Sequence, residues 1–189
     1  MGMIELNHNF NKFVDESNYT NIISINDEAG CILKLQLIAE NFLEVYLDER
    51  IPKDRKKFFM KRGEILKYFD EKLMISIAFG LPVELAEVLK YLNKVRNDFG
   101  HDFDRKLSSD DLNKFIDLAE FFKVKTTAPY LGDEDIRGTY IQVSGKNLSP
   151  KDGLIAGFGI ATYCLMIRAG VWLANDLNKR DQLNLGKIL

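Results

Sequence analysis

Residues Glu28 to Leu47, EAGCILKLQLIAENFLEVYL, decide the fold of this 189-residue chain. Apolar side chains recur in this stretch at steps of four and three residues, the spacing that lines one face of an α-helix. Asp27 precedes the stretch and is a suitable N-cap residue. The pattern predicts a long core helix whose apolar face comprises Cys31, Leu35, Ile38, Phe42 and Val45, widened by Ile32, Ala39, Leu43 and Tyr46.

The same periodicity predicts three more helices downstream. The first covers residues 64–79 and ends near Gly80, because GLP places a helix-ending glycine just before a proline. The second begins at Pro82, a residue suited to a first helical turn because its missing N–H would have no partner there. The third covers residues 109–123, with Ser108 or Ser109 as its cap. The short connections between these helices favour an antiparallel bundle.

Beyond these helices the pattern changes. Residues 126–150 are rich in turn formers, and only residues 139–144 alternate as a short strand does. Another helix is expected over residues 151–178. Its apolar run LIAGFGIATYCLMIRAGVWLA nearly reaches the length of a membrane span, but Arg168 breaks the run and glycines thin it. A buried helix in the core or at an oligomer interface is favoured over a span, and Gly153 and Gly157 have the spacing that allows close helix contact.

The expected fold class is therefore all-α, an antiparallel bundle of about four to six helices with a short β-hairpin insertion. We expect a single domain over residues 1–189, with a bundle core at about 27–125, an irregular insertion at 126–150 and a C-terminal apolar helix at 151–178. A hydrophobic content of 46% with 29% charged residues fits a globular chain and is too apolar for a disordered one.

Composition narrows the classes of function. The net charge of -2 gives no overall attraction to nucleic acid, so binding would need a local basic patch. Two cysteines and two histidines, at Cys31, Cys164, His8 and His101, show no zinc-site spacing, and GDEDIRG at 132–138 lacks the spacing of a calcium loop. We expect no metal and no other cofactor. The N-terminus lacks the pattern of a signal peptide, which favours a cytoplasmic setting.

One local basic patch is present between residues 51 and 67. With Phe58 and Phe59 interleaved among its cations, it could follow an RNA backbone and stack bases. The alternative is a solvated helix face whose phenylalanines enter the core. The candidate nucleic-acid-binding residues are Lys53, Arg55, Lys56, Lys57, Lys61 and Arg62.

The best candidate for a catalytic site is the segment VRNDFGHDFD, residues 95–104. Arg96 follows three leucines at steps of eleven, seven and four, so it is expected on the apolar face of its helix, where a charge needs a partner. Glu40 is the candidate supporting carboxylate. His101 lies about 140° round an ideal helix from Arg96. Gly100 is expected to end the helix and let the imidazole swing back toward the guanidinium.

Such a pair suits phosphoryl chemistry. An arginine matches phosphate oxygens at any working pH, and a histidine moves protons near neutrality. RNA supplies its own nucleophile, the 2′-hydroxyl, so this chemistry needs no metal. The competing interpretation is structural: Arg96 pairs with Glu40 between helices, and His101 caps the helix end.

The motif RNDFGH, on the third long helix of the expected bundle, resembles the arginine and histidine motif of the HEPN superfamily. Together with FDEKLMISIAFGLP upstream and LSSDDLNKFIDLAEFF downstream, it is similar to the mannitol repressor-like (MltR-like) branch, and the resemblance covers roughly residues 27–122. It implies an all-α bundle that dimerises so that two motifs face each other. Many HEPN members are metal-independent endoribonucleases, several of them toxins or phage-defence proteins, and others are inactive binding or regulatory modules.

By that resemblance Arg96 would stabilise the scissile phosphate, His101 would act as general base or acid, and Asn97 would orient one of them. The expected partners are a second copy of the chain, an RNA substrate, and an antitoxin or regulatory protein, with no role for a membrane. The leading hypothesis is a metal-independent endoribonuclease. The alternative is a non-catalytic mannitol repressor-like regulator that binds a protein partner.

Overall fold

The computed structural model describes residues 9–61, 64–124 and 135–179. It shows an all-α helical bundle with short β-hairpins, which confirms the predicted fold class. The helices are α1 (Asn11–Val14), α2 (Glu16–Ile23), α3 (Glu28–Arg50), α4 (Lys56–Phe59), α5 (Phe69–Ala78), α6 (Val83–His101), α7 (Ser109–Phe121) and α8 (Leu154–Lys179). The strands are β1 (Met60–Lys61), β2 (Glu64–Ile65), β3 (Ile141–Val143) and β4 (Lys146–Leu148), and Ile136–Gly138 forms a 3₁₀ turn.

Helix α3 lies at the centre of the bundle. It packs against α1, α2, α5, α6 and α8, so other helices cover it along most of its length. The predicted apolar face is fully buried, and Asp27 occupies the N-cap position, although its side chain makes no capping hydrogen bond. The helix extends to Arg50, whose guanidinium forms an ion pair with Asp176 of α8.

Helix α8 is the second central element and packs against α1, α2, α3 and α7. Its glycines allow close approach: a Cβ added at Gly157 would lie 2.4 Å from Leu112 of α7, and one at Gly159 would lie 2.5 Å from Ile23 of α2. Gly153 does not take part in such a contact, because it precedes the helix and faces open space. The small-residue contact therefore involves Gly157 and Gly159 rather than the predicted Gly153 and Gly157.

By length and composition α8 could cross a membrane, but 67% of its most apolar window is buried inside the protein, as in a core helix. Arg168, which interrupts the apolar run, is 2% exposed and points into the bundle. Its Nη1 donates to the carbonyl of Ala119 at 3.0 Å, and its Nη2 lies 3.5 Å from Glu120 Oε2. Glu120 Oε1 in turn accepts from the amide of Ile136 at 2.6 Å. One buried arginine thus joins α8, α7 and the 3₁₀ turn.

Helix α5 begins later than predicted. Residues 64 and 65 form strand β2, which pairs with β1, and the helix starts at Phe69. The carboxylate of Glu71 accepts from the amides of Lys67 and Tyr68, both at 3.3 Å, and so fixes the first turn. The predicted end at Gly80 is confirmed: this glycine has φ +96°, and Leu81 N–H donates to the Ser76 carbonyl at 2.9 Å, which closes a Schellman turn.

The connection from α6 to α7 ends in a network of hydrogen bonds at Ser108. The Ser108 side chain accepts from the Asp111 amide at 3.1 Å, which confirms Ser108 as the cap, and Asp111 also binds Arg105 at 2.7 Å. Partial burial alone would raise the pKa of Asp111, but the hydrogen bonds from Ser108 and Arg105 outweigh that effect and lower it. The Leu107 amide donates to Glu28 at 2.7 Å, which fixes this connection beside the start of α3.

Two parts of the chain differ from the prediction or extend it. The short helices α1 and α2 were not predicted, because they are too brief to show a periodic stripe; Asp15 caps α2 by accepting from Ser17 N at 3.0 Å. The strand expected at 139–144 is confirmed as β3 and continues into a hairpin with β4. Ser144 and Gly145 at its turn both have positive φ, as a two-residue type I′ turn requires.

We predict that Arg168→Met lowers the free energy of unfolding by about 3 kcal/mol, because it leaves the half-buried Glu120 and the Ala119 carbonyl without their partner. Arg137→Met is the matched control. Arg137 pairs with Asp117 at 2.7 Å on the surface, and removing an exposed pair costs about 0.5 kcal/mol. Urea unfolding of both variants measures the difference. Equal losses in the two variants would contradict a structural role for the buried arginine.

Candidate functional site

Helix α6 does not end at Gly100. It continues in regular form to His101, with Asp102 as its C-cap residue and the Asp102 amide donating to the Asp98 carbonyl at 3.1 Å. The expected swing of His101 back toward Arg96 is therefore wrong. A glycine permits a helix to end, but Gly100 adopts helical geometry here because nothing in the local backbone forces a left-handed residue.

Arg96 is exposed rather than buried, which corrects the expectation from the helical wheel. Leu85, Leu89 and Leu92 of the same stripe are fully buried. At the level of Arg96, however, the neighbouring face of α3 carries Leu33 and Leu37, which remain 40% and 48% exposed. Beyond Leu92 the stripe therefore faces an open cleft rather than a packed helix, and the long arginine side chain can keep its charge in water.

Glu40 does not pair with Arg96. Its carboxylate binds Lys72 Nζ of α5 at 2.7 Å and Gln36 Nε2 at 3.3 Å. Lys72 also binds Glu44 at 2.6 Å and is only 2% exposed, so it is the buried cation that sequence reasoning assigned to Arg96. The sequence contained a pattern that could have identified Lys72 as buried. Lys72 shares a helical face with Phe69, Leu73 and Ser76, all of which are buried.

The charge of Lys72 is stabilised by its partners. Burial alone would lower the pKa of Lys72, but hydrogen bonds from the ammonium to Glu40 and Glu44 raise it above its usual value. A raised lysine pKa means that the ammonium stabilises the fold from neutral pH up to about pH 10, and that this contribution is lost as the pH rises through the folded-state pKa of Lys72. Lys72 is therefore a structural cation at neutral pH.

Arg96, Asn97 and His101 form what we call the polar strip of α6. Arg96 Nη1 donates to Asn97 Oδ1 at 3.0 Å, which draws the guanidinium round the helix toward Asn97. Asn97 and His101 are four positions apart on an unbroken helix, so their side chains are neighbours on one face. The structure brings Arg96 to Asn97 and Asn97 to His101, but it leaves the Arg96 and His101 side chains directed to different sides of the helix.

No carboxylate among the described residues pairs with Arg96, and no described residue makes a hydrogen bond to His101, which is exposed. The surroundings of His101 are acidic. Asp98, Asp102 and Asp104 lie close to it in sequence, and Asp98 is bound by Lys94 at 2.9 Å. Phe103 stands between two of these acids and is fully exposed.

Beside the strip lies the α3–α6 cleft, a cavity of about 280 Å³ between α3, α6 and the start of α5. Arg96 and Asn97 line it, whereas His101 does not. Glu40 also lines the cleft, so the predicted supporting carboxylate is near Arg96 without being bonded to it. The remaining lining consists of Leu33, Gln36, Leu37, Lys67, Tyr68, Phe69, Asp70 and Asn93.

The predicted basic patch is distant from His101. Lys56 binds Asp48 near the end of α3, whereas the connection after His101 lies beside Glu28 at the start of α3. Twenty positions of α3 separate these levels, about 30 Å at 1.5 Å per residue. A strand of RNA would have to be several nucleotides long to contact both regions.

Within the patch, several cations already have local contacts. Arg55 lies 4.0 Å from Asp54, and the Lys57 ammonium lies 5.2 Å from the ring centroid of Phe58. Phe58 is 77% exposed, as base stacking would require. Phe59 packs against Phe79, as expected if the patch is a solvated face whose phenylalanines enter the core. Lys53 is exposed and the Lys61 backbone lies in β1. Arg62 lies outside the described residues.

We predict that Lys72→Met lowers the free energy of unfolding by about 2–3 kcal/mol, because it leaves two neighbouring carboxylates without their shared cation. Arg96→Met, which removes a cation of similar length from the same region, should change it by no more than about 0.5 kcal/mol. Chemical unfolding at neutral pH measures both. A larger loss for Arg96→Met than for Lys72→Met would restore the structural interpretation of Arg96.

The arrangement offers a guanidinium that has no carboxylate partner among the described residues, an amide that binds it, and an accessible imidazole along one helix, beside a cleft of mixed polarity. The guanidinium and the amide can bind a phosphate, and the imidazole on another side of the helix is of a type that moves protons near neutrality. Among the residues that the structure describes, no group of three or more histidine, cysteine or acidic side chains lies close enough to hold a metal ion. Comparison of the chain with protein-family models, with curated proteins and with solved structures finds no significant match.

Proposed function

We propose that the chain is a HEPN-like, metal-independent endoribonuclease that uses the polar strip of α6, and that it works in the cytoplasm as a toxin or phage-defence protein. The observation that carries the proposal is the exposure of Arg96 without a carboxylate partner in the described part of the chain. A cation that stabilised the fold from inside the bundle would be paired and buried, as Lys72 and Arg168 are. An arginine held open beside a cleft is available to a phosphate.

In the proposed reaction the 2′-oxygen attacks the adjacent phosphorus, and the bond from phosphorus to the 5′-oxygen breaks. His101 as neutral imidazole accepts the proton of the 2′-hydroxyl. Arg96 neutralises the charge that develops on the non-bridging oxygens, and Asn97 holds the guanidinium in place through its side-chain carbonyl. The leaving 5′-oxygen takes a proton from water or from a second imidazolium. The products are a 2′,3′-cyclic phosphate and a 5′-hydroxyl.

Arg96 and His101 of one chain diverge, so we propose that the site forms between two copies. Two α6 helices can pack antiparallel about a twofold axis that crosses them midway between Arg96 and His101. Each Arg96 then lies at the level of the partner's histidine. An exposed apolar side chain that could take part in such a contact lies just after the strip, at Phe103. This arrangement agrees with the facing motifs that the HEPN resemblance implies.

We predict that purified protein in EDTA cleaves RNA and that His101→Ala lowers the rate by at least about 100-fold, the usual size of a general acid–base contribution. His8→Ala, which removes the other histidine, is the matched control and should retain full activity. The assay incubates single-stranded and structured RNAs with each protein and identifies the new ends by their chemistry. Equal rates for wild type and His101→Ala at equal melting temperature would refute the proposal.

A second prediction tests the shared site. Arg96→Ala and His101→Ala are each expected to be inactive, but a mixture that exchanges subunits should regain about a quarter of the wild-type activity. The reason is that half of the randomly formed dimers are mixed, and each mixed dimer holds one intact arginine and histidine pair. The mixture and the separate variants are assayed at the same total concentration. No gain in the mixture, with subunit exchange verified by mass, would place both groups in one chain.

A non-catalytic regulator is the second candidate, and one observation favours it. Phe103 is fully exposed between Asp102 and Asp104, which gives the connection after α6 an aromatic anchor with an acidic rim, a surface suited to a basic protein partner such as an antitoxin or regulator. The same acids oppose RNA phosphate. Absence of cleavage by a well-folded wild-type protein across varied RNAs would favour this regulator over the nuclease.

A further inference from the structure

The α3–α6 cleft contains two buried amide side chains that are not part of the polar strip. Gln36 is 4% exposed and Asn93 is 7% exposed, and both line the cavity. Buried amides are costly unless they are bonded, so their placement in a cavity wall needs a reason. Each of them has a carboxylate beside it.

Those carboxylates fix the orientation of the amides. Gln36 Nε2 donates to Glu40 Oε2 at 3.3 Å, and Asn93 Nδ2 donates to Asp70 Oδ1 at 3.2 Å. A carboxylate only accepts, so in both cases the NH₂ group must face it. The carbonyl oxygens of Gln36 and Asn93 are left without a donor among the described residues. The cavity wall therefore presents two hydrogen-bond acceptors.

The rest of the lining supplies complementary contacts. Leu33, Leu37 and Tyr68 give the cleft an exposed apolar surface, with Tyr68 55% exposed. Lys67 and Arg96 place two cations at its edge, and both are exposed. Glu40 faces the same cavity, but Lys72 binds it from the core and offsets its charge. A ligand that fits has a flat apolar ring, hydrogen-bond donors on the edge of the ring, and a phosphate.

We propose that the α3–α6 cleft binds one nucleotide unit whose base carries an exocyclic amino group, with its ring against Leu33, Leu37 and Tyr68 and its phosphate at Arg96 or Lys67. An amino group presents two N–H donors to the Gln36 and Asn93 oxygens. Uracil presents a single N–H between two carbonyl oxygens, which would face acceptors and be repelled. The inference rests on the proposed function for the identity of the ligand as RNA, and it names which bases the site prefers next to Arg96.

The test compares cytosine with uracil, because these bases have the same ring size and differ where the amides would read them. Full-length His101→Ala is used so that RNA stays intact during the measurement. Fluorescence anisotropy with labelled ten-nucleotide oligo(C) and oligo(U) measures affinity. We expect oligo(C) to bind at least about tenfold more tightly than oligo(U), the discrimination that one or two base-edge hydrogen bonds provide. Equal affinity for the two oligonucleotides would overturn the proposal.

Two kinds of variant locate the binding. Gln36→Leu and Asn93→Leu keep the approximate shape but remove an acceptor, so each should reduce the preference for cytosine severalfold. Because these residues are buried, a third variant that spares the core is included. Leu37→Glu places a carboxylate at the cleft and should weaken oligo(C) binding, whereas Ile77→Glu, at a similarly exposed apolar residue that does not line the cleft, should not. Equal effects of Leu37→Glu and Ile77→Glu would remove the cleft as the site.

Competition with CMP and UMP distinguishes a free nucleotide from an RNA strand. Displacement of oligo(C) by CMP but not by UMP would mean that one nucleotide suffices; binding of the oligonucleotide alone, with the same preference, would identify RNA as the ligand. Both results support the base-reading cleft. The cleavage assay keeps the two proposals separate. A cytosine preference without cleavage would refute the proposed nuclease activity and support the base-reading cleft. Cleavage without a base preference would support the nuclease activity and refute the base-reading cleft.

Discussion

A helix that buries side chains round more than half of its circumference must be covered from several sides, and α3 imposes this requirement on the rest of the chain. Its buried residues include Val45, Cys31, Ala39, Leu43 and Leu47, which point in different directions round the helix, so that no single neighbour could cover them all. Helices α1, α2, α5, α6 and α8 pack around it and meet the requirement. Cover is incomplete at Leu33 and Leu37, where the α3–α6 cleft opens and where Arg96 reaches solvent. Fold and candidate site thus follow from the same helix.

The sequence was sufficient for features that depend on neighbouring residues. The periodic stripe of α3, the cap at Ser108 and the glycine turn after α5 are local patterns, and the structure has all three. It was insufficient where the answer depended on which element lies opposite. Arg96 continues a leucine stripe, and no helical wheel can tell whether the next position of a stripe faces a neighbouring helix or a cleft. For the same reason Glu40 was identified as a supporting carboxylate but was matched with the wrong cation.

The positions where helices end were the second feature that the sequence did not determine. Gly100 is followed by residues that are compatible with either a stop or another turn of helix, and the α6 backbone continues to His101. The difference matters for chemistry because one residue of additional helix keeps His101 in register with Asn97 and away from Arg96. The short helices α1 and α2 could not be predicted from periodicity, since four and eight residues give at most about two turns. Their positions are set by packing against α3 and α8.

The position of α8 has a consequence for how the molecule is made. It is the last of the described helices along the chain, yet it packs against α1, α2, α3 and α7 in the middle of the bundle. A ribosome releases those partners first, and the part of each apolar face that packs against α8 stays uncovered until residues 154–179 have emerged. Closure of the core is therefore delayed until α8 has been made, and the nascent chain is exposed to chaperones or to aggregation until then.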